Sequence, residues 1–490
     1  AATGSLSVVA RDSLLARGRN QAVAALVASG RGVDLAGSQT RADSIALAAL
    51  AGDVVTRDAI VAGGATLEIR TAADPARQLD NRGGQLSAAQ LDLSVANFDN
   101  RAGSLQQSGT GDLTLATASL DNRGGRIATN SRQLTLAADV LDNAQGLIQH
   151  AGSDSLVITA TRLAGGQGRI LANGSLSLAA GEIHLDGAET RAHQIRINSP
   201  LLSHQGALLA ATGTLEIKAD TLLDNTGGLI TAQGDTTVQA GTLLNRQGAL
   251  QTTGNASLEL AASGVVDNSA GSLSTQSGHF VVESGGALLN RLGTIGSGGA
   301  FDARLASLDN SGTLYAADRL AIVSAGLIDN TGVLAGRSSV QLDAARLSAS
   351  AASLLAAGLR SDGSFGATGE LIVTTTDLLA AHGHNQAAGR LVFSGRDVDL
   401  SGATTRGSQL MLTANGGDLV TAGGSVATPG ELVIKARSGT ASRLDNRAGH
   451  LAAGRLDIQV ANLDNRAGAI EQSGTTATVL ALTAPGGLMD

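Results

Sequence analysis

Short alternations of apolar and polar residues recur along the chain at a nearly constant spacing. Each has the form apolar-x-apolar, and consecutive copies lie about 20 residues apart. An alternation with a period of two predicts a strand with one buried face. The leading residues of these predicted strands are Leu91, Leu113, Leu134, Leu156, Leu176, Ile195, Leu215, Thr237, Leu258, Phe280, Phe301, Leu320 and Val340.

A second motif, L-D-N-x-x-G-x-L, runs in phase with the first and recurs at the same spacing within each run. Asn tolerates the left-handed backbone region and Gly adopts it without steric cost, so this motif predicts a turn that leaves a strand. Stacked turns would place the Asn side chains in one ladder, each amide bonding the next. We predict a structural ladder of Asn81, Asn100, Asn122, Asn143, Asn225, Asn245, Asn268, Asn290, Asn310, Asn330, Asn446 and Asn465.

A single unit of about 20 residues is too small to bury its own apolar face, whereas stacked units bury a continuous core. The sequence therefore predicts an all-β parallel β-helix, a solenoid with coils of about 20 residues. Because the two motifs stay in phase, we expect one continuous β-helix over residues 1–490. Neither end has the pattern of a capping element, so we expect this chain to be part of a longer rod.

Two blocks of the chain are near copies of each other. Residues 26–110 align without gaps onto residues 391–475 at a constant offset of 365, with about half of the positions identical. Both blocks contain L-x-G-x-x-T-R, at 35–41 and 400–406, and a third copy lies at 185–191. Such duplication is typical of a filament that lengthens by copying blocks of coils.

The composition excludes several classes of protein. There is no Cys, which excludes disulfide scaffolds and thiolate metal sites. The net charge is −8 and only two Lys occur, so the sequence shows no basic surface of the kind that binds nucleic acid. No apolar run is long enough to span a membrane. Aromatic residues are only 1% of the chain, as expected for a narrow core of stacked aliphatic side chains. An exported protein without disulfides points to a bacterial outer surface.

Tandem L-D-N-x-x-G-x-L units interrupted by T-R segments resemble the repeats of filamentous haemagglutinin. They are also similar to the repeats of contact-dependent growth inhibition effectors, which are large exoproteins of two-partner secretion. The resemblance covers nearly the whole chain and implies a right-handed parallel β-helix. It also implies a secreted protein displayed on the bacterial cell surface as an outer-membrane-associated filament, with roles in cell adhesion and virulence.

The resemblance further implies that an outer-membrane two-partner secretion transporter exports the parent protein by means of an N-terminal domain that this chain lacks. The expected function is a structural and adhesive shaft that presents a distal receptor-binding or toxin region to a receptor on a target or host cell. Two alternatives remain open. One is a carbohydrate-active β-helix enzyme, and the other is a segment that itself binds a host receptor. We expect no catalytic residue, no cofactor and no metal.

The Asp of the turn motif has two interpretations. Asp80, Asp99 and Asp121 would stack in one row and bind calcium or a polysaccharide. Alternatively, Arg two residues after each Asp would neutralise the row on the surface. We favour neutralisation, because Leu244 and Leu289 replace Asp without disturbing the repeat. The arginines of this column are Arg82, Arg101, Arg123, Arg246, Arg291, Arg447 and Arg466.

Two further features are candidate sites. His382 and His384 form a close pair, which we interpret as a solvated turn because no third ligand follows in sequence. The step from Val340 to Leu371 is about ten residues longer than the period, which predicts a loop insertion at 355–369. Loops that leave a regular solenoid often carry binding residues. The candidate contact residues there are Arg360, Asp362 and Phe365.

Overall fold

The computed structural model describes residues 4–436 and 442–482. Within these residues every regular element is a strand, and the pairings between the named strands are parallel. The chain divides into two compact units, Ala1–Ala240 and Gly241–Asp490. The prediction of an all-β parallel β-solenoid is confirmed in each unit.

Unit 1 consists of short strands that return to the same position once in every coil of about 20 residues. The strands that begin in unit 1 are β1 to β26: Leu6–Val9, Leu14–Leu15, Arg19–Gln21, Ala25–Gly30, Val33–Asp34, Gln39–Ala49, Val54–Val55, Ile60–Arg70, Gln78–Asp80, Gln85–Ala88, Gln90–Ser94, Asn97–Asp99, Ser104–Gln107, Leu113–Asp121, Arg126–Thr129, Leu134–Asp142, Leu147–His150, Ser155–Ala164, Arg169–Ala172, Ser175–His184, Glu189–Ala192, Gln194–Ser203, Leu208–Ala211, Leu215–Asp224, Leu229–Ala232 and Thr236–Leu244.

The register of unit 1 places equivalent apolar residues directly above one another. Leu113 pairs with Leu134, Leu134 with Leu156, and Leu156 with Leu176. These side chains are at most 1% exposed. Full burial of one such side chain contributes about 1.5–3 kcal/mol. The aliphatic ladder is thus the main source of the stability of each coil.

Unit 2 repeats the same arrangement. The strands that begin in it are β27 to β52: Ala249–Thr252, Leu258–Ala262, Val266–Asp267, Ser272–Thr275, Phe280–Asn290, Thr294–Ser297, Phe301–Asn310, Thr313–Ala316, Arg319–Asn330, Val333–Gly336, Ser339–Ala349, Leu354–Ala357, Glu370–Thr375, Leu378–Ala381, His384–Ala387, Arg390–Gly395, Asp397–Asp399, Thr404–Arg406, Gln409–Ala414, Leu419–Val420, Ser425–Ala436, Arg443–Asp445, His450–Val460, Asn462–Asp464, Ala469–Gln472 and Val479–Leu482.

Aromatic rings occupy the apolar ladder of unit 2. Phe280 pairs with Leu258 on one side and with Phe301 on the other. The rings of Phe280 and Phe301 meet edge to face, with centroids 5.2 Å apart. Both rings are fully buried. The core therefore accommodates two large rings on adjacent coils, and it also buries the single rings of Phe98 and Phe393 between aliphatic residues.

The predicted inward position of Thr237 is wrong by one residue. Thr236 and Val238 are buried, at 2% and 0% exposure, while Thr237 is only half-buried. Because side chains alternate along a strand, a shift of one residue moves each of them to the opposite face. Val238 and Ala240 are buried on the same face as Thr236, so the apolar residues that follow in sequence already favoured Thr236 as the inward position.

Candidate functional site

The recurring turn begins at the Asn and closes with a backbone hydrogen bond three residues later. In the first clear copy, the N–H of Gly84 donates to the carbonyl oxygen of Asn81 at 3.0 Å. The intervening Gly83 has a φ of 65°, which Gly adopts without steric cost. A Cβ on Gly84 would lie 2.2 Å from the carbonyl oxygen of Thr56 in the neighbouring coil. The motif therefore needs Gly at this position because two coils approach closely.

Asn side chains of unit 1 form a hydrogen-bonded ladder along the stacked turns. The Nδ2 of Asn81 donates to Oδ1 of Asn100 at 2.7 Å, and Asn100 donates to Asn122 at 2.7 Å. Asn122 donates in turn to Oδ1 of Asn143 at 2.6 Å. All four side chains are fully buried. Each amide replaces the water contacts it loses on burial with these bonds.

The same ladder occurs twice in unit 2, at distances of 2.6 to 2.9 Å. The donor and acceptor pairs are Asn245 to Asn268, Asn268 to Asn290, Asn290 to Asn310, Asn310 to Asn330, and Asn446 to Asn465. Asn465 is half-buried, whereas the other members are fully buried.

Other residues occupy the turn position between Asn143 and Asn225. They are Gly165, Leu185 and His204. The backbone N–H of each still donates a hydrogen bond to the next coil; that of Leu185, for example, donates to the carbonyl oxygen of Ser203 at 2.8 Å. The Nδ1 of His204 lies 2.9 Å from Oδ1 of Asn225. Burial lowers the pKa of the His204 imidazole. The stacking of coils thus continues where the Asn motif is absent.

Thr hydroxyl groups extend two of the ladders by one coil. The Oγ1 of Thr56 donates to Oδ1 of Asn81 at 2.9 Å, and Thr421 donates to Asn446 at 2.8 Å. Both Thr side chains are fully buried. The sequence interpretation missed them. The available signal was their position, since each Thr precedes its Asn by the same interval in both copies of the duplicated block.

The Asp and Arg of the motif form alternating ion pairs along the turns. The Nη2 of Arg82 lies 2.7 Å from Oδ2 of Asp80, and its Nε lies 3.5 Å from Oδ2 of Asp99 in the next coil. Arg101 repeats the pattern with Asp99 at 2.7 Å and Asp121 at 3.4 Å. Each arginine therefore joins two carboxylates that would otherwise repel each other.

Asp80 is the most deeply buried carboxylate of this row, with 3% of its side chain exposed. Burial alone would raise its pKa, but hydrogen bonds from Arg82 and Arg57 outweigh burial and lower the pKa to about 2. In unit 2, the Arg447 guanidinium likewise lowers the pKa of Asp445. These carboxylates are ionised at neutral pH and neutralised by arginine.

An acidic row that binds calcium would need carboxylates gathered around one point. In residues 4–436 and 442–482, the structure brings together no group of three or more His, Asp or Glu side chains that could hold a metal. His382 and His384 also remain apart from such a group. His384 is exposed, and the Nε2 of His382 lies 3.2 Å from Oδ2 of Asp399. Asp399 comes from the neighbouring coil, which the spacing in sequence did not indicate.

The predicted insertion forms a small hairpin. Residues 354–357 are a ladder strand in which Leu355 pairs with Leu334 and Asn385, so the segment outside the ladder is 358–369. Leu359 and Phe365 make an antiparallel bridge. Because of this bridge, Phe365 is half-buried at the base of the hairpin.

The two charged contact candidates project from the tip of this hairpin. Arg360 and Asp362 are both exposed. The N–H and Oγ of Ser364 donate to Oδ1 of Asp362 at 2.9 and 2.7 Å, which fixes that carboxylate. The hairpin thus presents one cation and one anion from a backbone held by its own hydrogen bonds.

The family model for the haemagglutinin repeat matches residues 60–116, 108–180, 155–208, 210–270, 258–379 and 420–487. These matches cover most of the chain, and the chain belongs to the haemagglutinin repeat family. The repeat is thus of the kind found in large secreted proteins associated with the cell surface. No solved structure matches the chain significantly.

Two relatives are similar to shorter parts of the chain. The toxin CdiA of Yersinia pestis is 39% identical over 105 residues, which are 21% of this chain and 3% of that protein. The tRNA nuclease CdiA-2 of Burkholderia pseudomallei (strain 1026b) is 40% identical over 101 residues, which are 20% of this chain and 3% of that protein. The chain thus spans a small fraction of the length of either relative. Among the described residues, none belongs to a helix long and apolar enough to cross a membrane.

Proposed function

We propose that this chain is the shaft of a large exoprotein and holds a distal receptor-binding or toxin region away from the producing cell. The observation that carries the proposal is the uniform coil. The apolar ladder and the closed turn recur along both units, and Arg side chains neutralise the Asp row in the coils that carry both residues. Such a surface suits a spacer, because the coils outside the hairpin 358–369 repeat one regular arrangement.

The names of the relatives support the distal part of the proposal. A toxin and a tRNA nuclease each contain a segment similar to this one within a far longer chain. We propose that the parent of this chain likewise carries its active region outside the repeats. Export through an outer-membrane two-partner secretion transporter, display as a filament and contact with a target-cell receptor belong to the same proposal.

Whole-coil deletions test the spacer role. Since Leu113 pairs with Leu134, and Leu258 with Phe280, removal of 113–133 or of 258–279 leaves every other register in place. The chain would be displayed on bacteria between an anchor and a terminal nanobody, and bridging of the cells to antigen-coated beads would be measured. A spacer predicts the same small loss of bridging for both deletions.

Two controls make this experiment decisive. Removal of 113–123, about half a coil, breaks the register and is expected to abolish folding and display. A chain without the nanobody reports any adhesion by the coils themselves. If one whole-coil deletion abolished bridging while the other left it intact, the deleted coil would carry the contact and the spacer proposal would be wrong.

We also propose that residues 1–490 form one continuous β-helix. The support is that the two sequence motifs stay in phase across residues 79–340, a range that includes the boundary between the two units. Small-angle X-ray scattering of the purified chain would test it. A maximum dimension that matches about 4.8 Å per coil is expected, and a dimension near half that value would contradict continuity.

A further inference from the structure

A cleft of about 660 Å³ lies between the hairpin 358–369 and the stacked turns of unit 2. Its walls include Tyr315, Arg337, Ser338, Arg360, Asp362 and Thr368. Both a strand wall and the hairpin contribute to this cleft. The hairpin makes this place concave, and concavity is what a small-ligand site requires.

The aromatic wall of the cleft is fixed to the hairpin. Tyr315 is the only Tyr of the chain, and its hydroxyl donates to the carbonyl oxygen of Leu359 at 3.3 Å. The ring is half-buried, and this burial raises the pKa of the phenol. A Tyr held in this way offers an apolar ring beside polar groups, the combination on which a sugar ring packs.

The cations of the cleft differ from those of the turn rows. In the turn rows, arginines meet carboxylates closely, as Arg291 meets Asp309 at 2.6 Å. Arg337 and Arg360 are exposed, and neither makes an ion pair with a carboxylate among the residues that the structure describes. Two arginines without ion pairs in one concavity form a receptor for an anion, and the planar guanidinium suits a carboxylate.

The remaining polar groups add acceptors and donors for hydroxyl groups. Asp362 is exposed in the same cleft, and its Oδ1 is already engaged by Ser364. The hydrogen bonds from Ser364, and after them the nearby charge of Arg360, lower the pKa of Asp362, so this carboxylate is ionised at neutral pH. Thr368 contributes a hydroxyl group, whereas the hydroxyl of Ser338 already donates to Oδ1 of Asp318 at 2.6 Å and offers only its oxygen as an acceptor. The cleft therefore combines an anion receptor, a ring and hydroxyl partners.

We propose that this cleft binds a carboxylate-bearing saccharide. The carboxylate would be held by Arg337 and Arg360, a sugar hydroxyl would donate to Asp362, and a C–H face would pack on Tyr315. A uronic acid and a sialic acid share this chemistry. The site would lie on the shaft itself, so it depends on no distal region.

The test uses the full chain with glucuronic acid and 3′-sialyllactose as probes, glucose and lactose as their neutral counterparts, and inorganic sulfate. Saturation-transfer difference NMR detects binding, and titration calorimetry ranks it. We expect one acidic sugar to bind saturably and at least about tenfold more tightly than its neutral counterpart, since a charged hydrogen bond is lost without the carboxylate. Which acidic sugar binds identifies the source of the ligand.

Variants then locate the binding. Arg337→Ala and Arg360→Ala are each expected to weaken it about tenfold. Arg304→Ala is the matched control, because Arg304 is likewise exposed and without a carboxylate partner among the described residues but does not line the cleft. Thermal unfolding followed by circular dichroism checks that the three variants remain folded.

Three results would overturn the proposal. In the first, neither acidic sugar binds. In the second, sulfate binds as tightly as the acidic sugar, which would leave only a simple anion site. In the third, Arg304→Ala weakens binding as much as the cleft variants, which would mean that general surface charge is responsible.

Discussion

Asn122 offers the sharpest measurement of what the ladder contributes to stability. It is fully buried, accepts a hydrogen bond from Asn100 at 2.7 Å and donates one to Asn143 at 2.6 Å. Asn122→Ala removes both bonds. It leaves Oδ1 of Asn143 buried without that donor, whereas Nδ2 of Asn100 keeps weaker contacts with carbonyl oxygens at 3.2 and 3.4 Å.

The expected cost follows from these contacts. The lost bond from Asn100 contributes about 1 kcal/mol, and Oδ1 of Asn143, left buried without the donor Asn122, costs about 1–3 kcal/mol. The total is about 2–4 kcal/mol of local stability. Asn122→Leu separates packing from hydrogen bonding, because Leu185 occupies the same turn position and is fully buried. This variant fills the space but restores no bond, so we expect it to be destabilised too.

Hydrogen exchange followed by mass spectrometry suits a solenoid, in which global unfolding is not a single transition. The reporters are peptides that contain the backbone N–H groups at position 122 and at Gly125. The first donates to the backbone carbonyl oxygen of Asp142 at 2.7 Å, and the second donates to that of residue 122 at 3.0 Å. A loss of about 2–4 kcal/mol lowers their protection about 30-fold to several hundred-fold. Peptides several coils away should be unchanged.

Asn130→Ala is the control, since the side chain of Asn130 is exposed and donates only a hydrogen bond of 3.3 Å to the backbone carbonyl oxygen of Ser108 among the described residues. Its effect should stay within about 0.5 kcal/mol. If the reporter amides of Asn122→Leu exchanged as slowly as those of the unchanged chain, the hydrogen bonds of the ladder would contribute nothing to local stability. Any buried side chain that fills the space would then suffice at this turn. That result would refute the reasoning.

Three further predictions concern single positions. Thr190→Val should be neutral or stabilising, because the buried hydroxyl of Thr190 has no hydrogen-bond partner among the residues that the structure describes. Thr405→Val should cost about 1–2 kcal/mol, because Asn385 donates to Thr405 at 3.2 Å. Local hydrogen exchange compares the two variants. The pKa of Asp80 is lowered from 3.8 to about 2, so its carboxylate stabilises the fold above about pH 4 and this contribution is lost as the pH drops from about 4 to 2. In acid unfolding, Asp80→Asn should therefore lose about 2 kcal/mol less stability over this pH range than the unchanged chain. Gly124→Ala should cost about 1 kcal/mol in denaturant titrations, since Gly124 has a φ of 61° and open space around a Cβ, so that only backbone strain opposes the methyl group.

The regular part of the fold could be predicted from the sequence because its causes are local. A strand of period two, an Asn that starts a turn and a Gly that allows close approach each leave a mark within a few residues. Stacking then follows from the repeat itself. The buried Asn side chains of the motif bond one another at the distances of ordinary hydrogen bonds.

The irregular parts could not be predicted because their partners lie in other coils. Tyr315 bonds Leu359 across 44 residues, since the hairpin folds back over two coils. Asp399 reaches His382 from the next coil after the insertion. These contacts depend on which coils are stacked next to each other, and the sequence of a single repeat does not specify that.

The turn position shows which part of the structure depends on the Asn side chain and which depends on the backbone. Asn122 and Leu185 occupy equivalent corners, and each donates its backbone N–H to a carbonyl oxygen of the next coil, at 2.7 and 2.8 Å. Each corner is also followed by a left-handed residue two positions later, Gly124 and Gly187. Since the backbone is the same with an amide or an aliphatic side chain, the coil does not depend on the amide for its path. The Asn side chains therefore add local stability to a path that the backbone and the apolar ladder already determine, which is why the motif decays between Asn143 and Asn225 while the period continues.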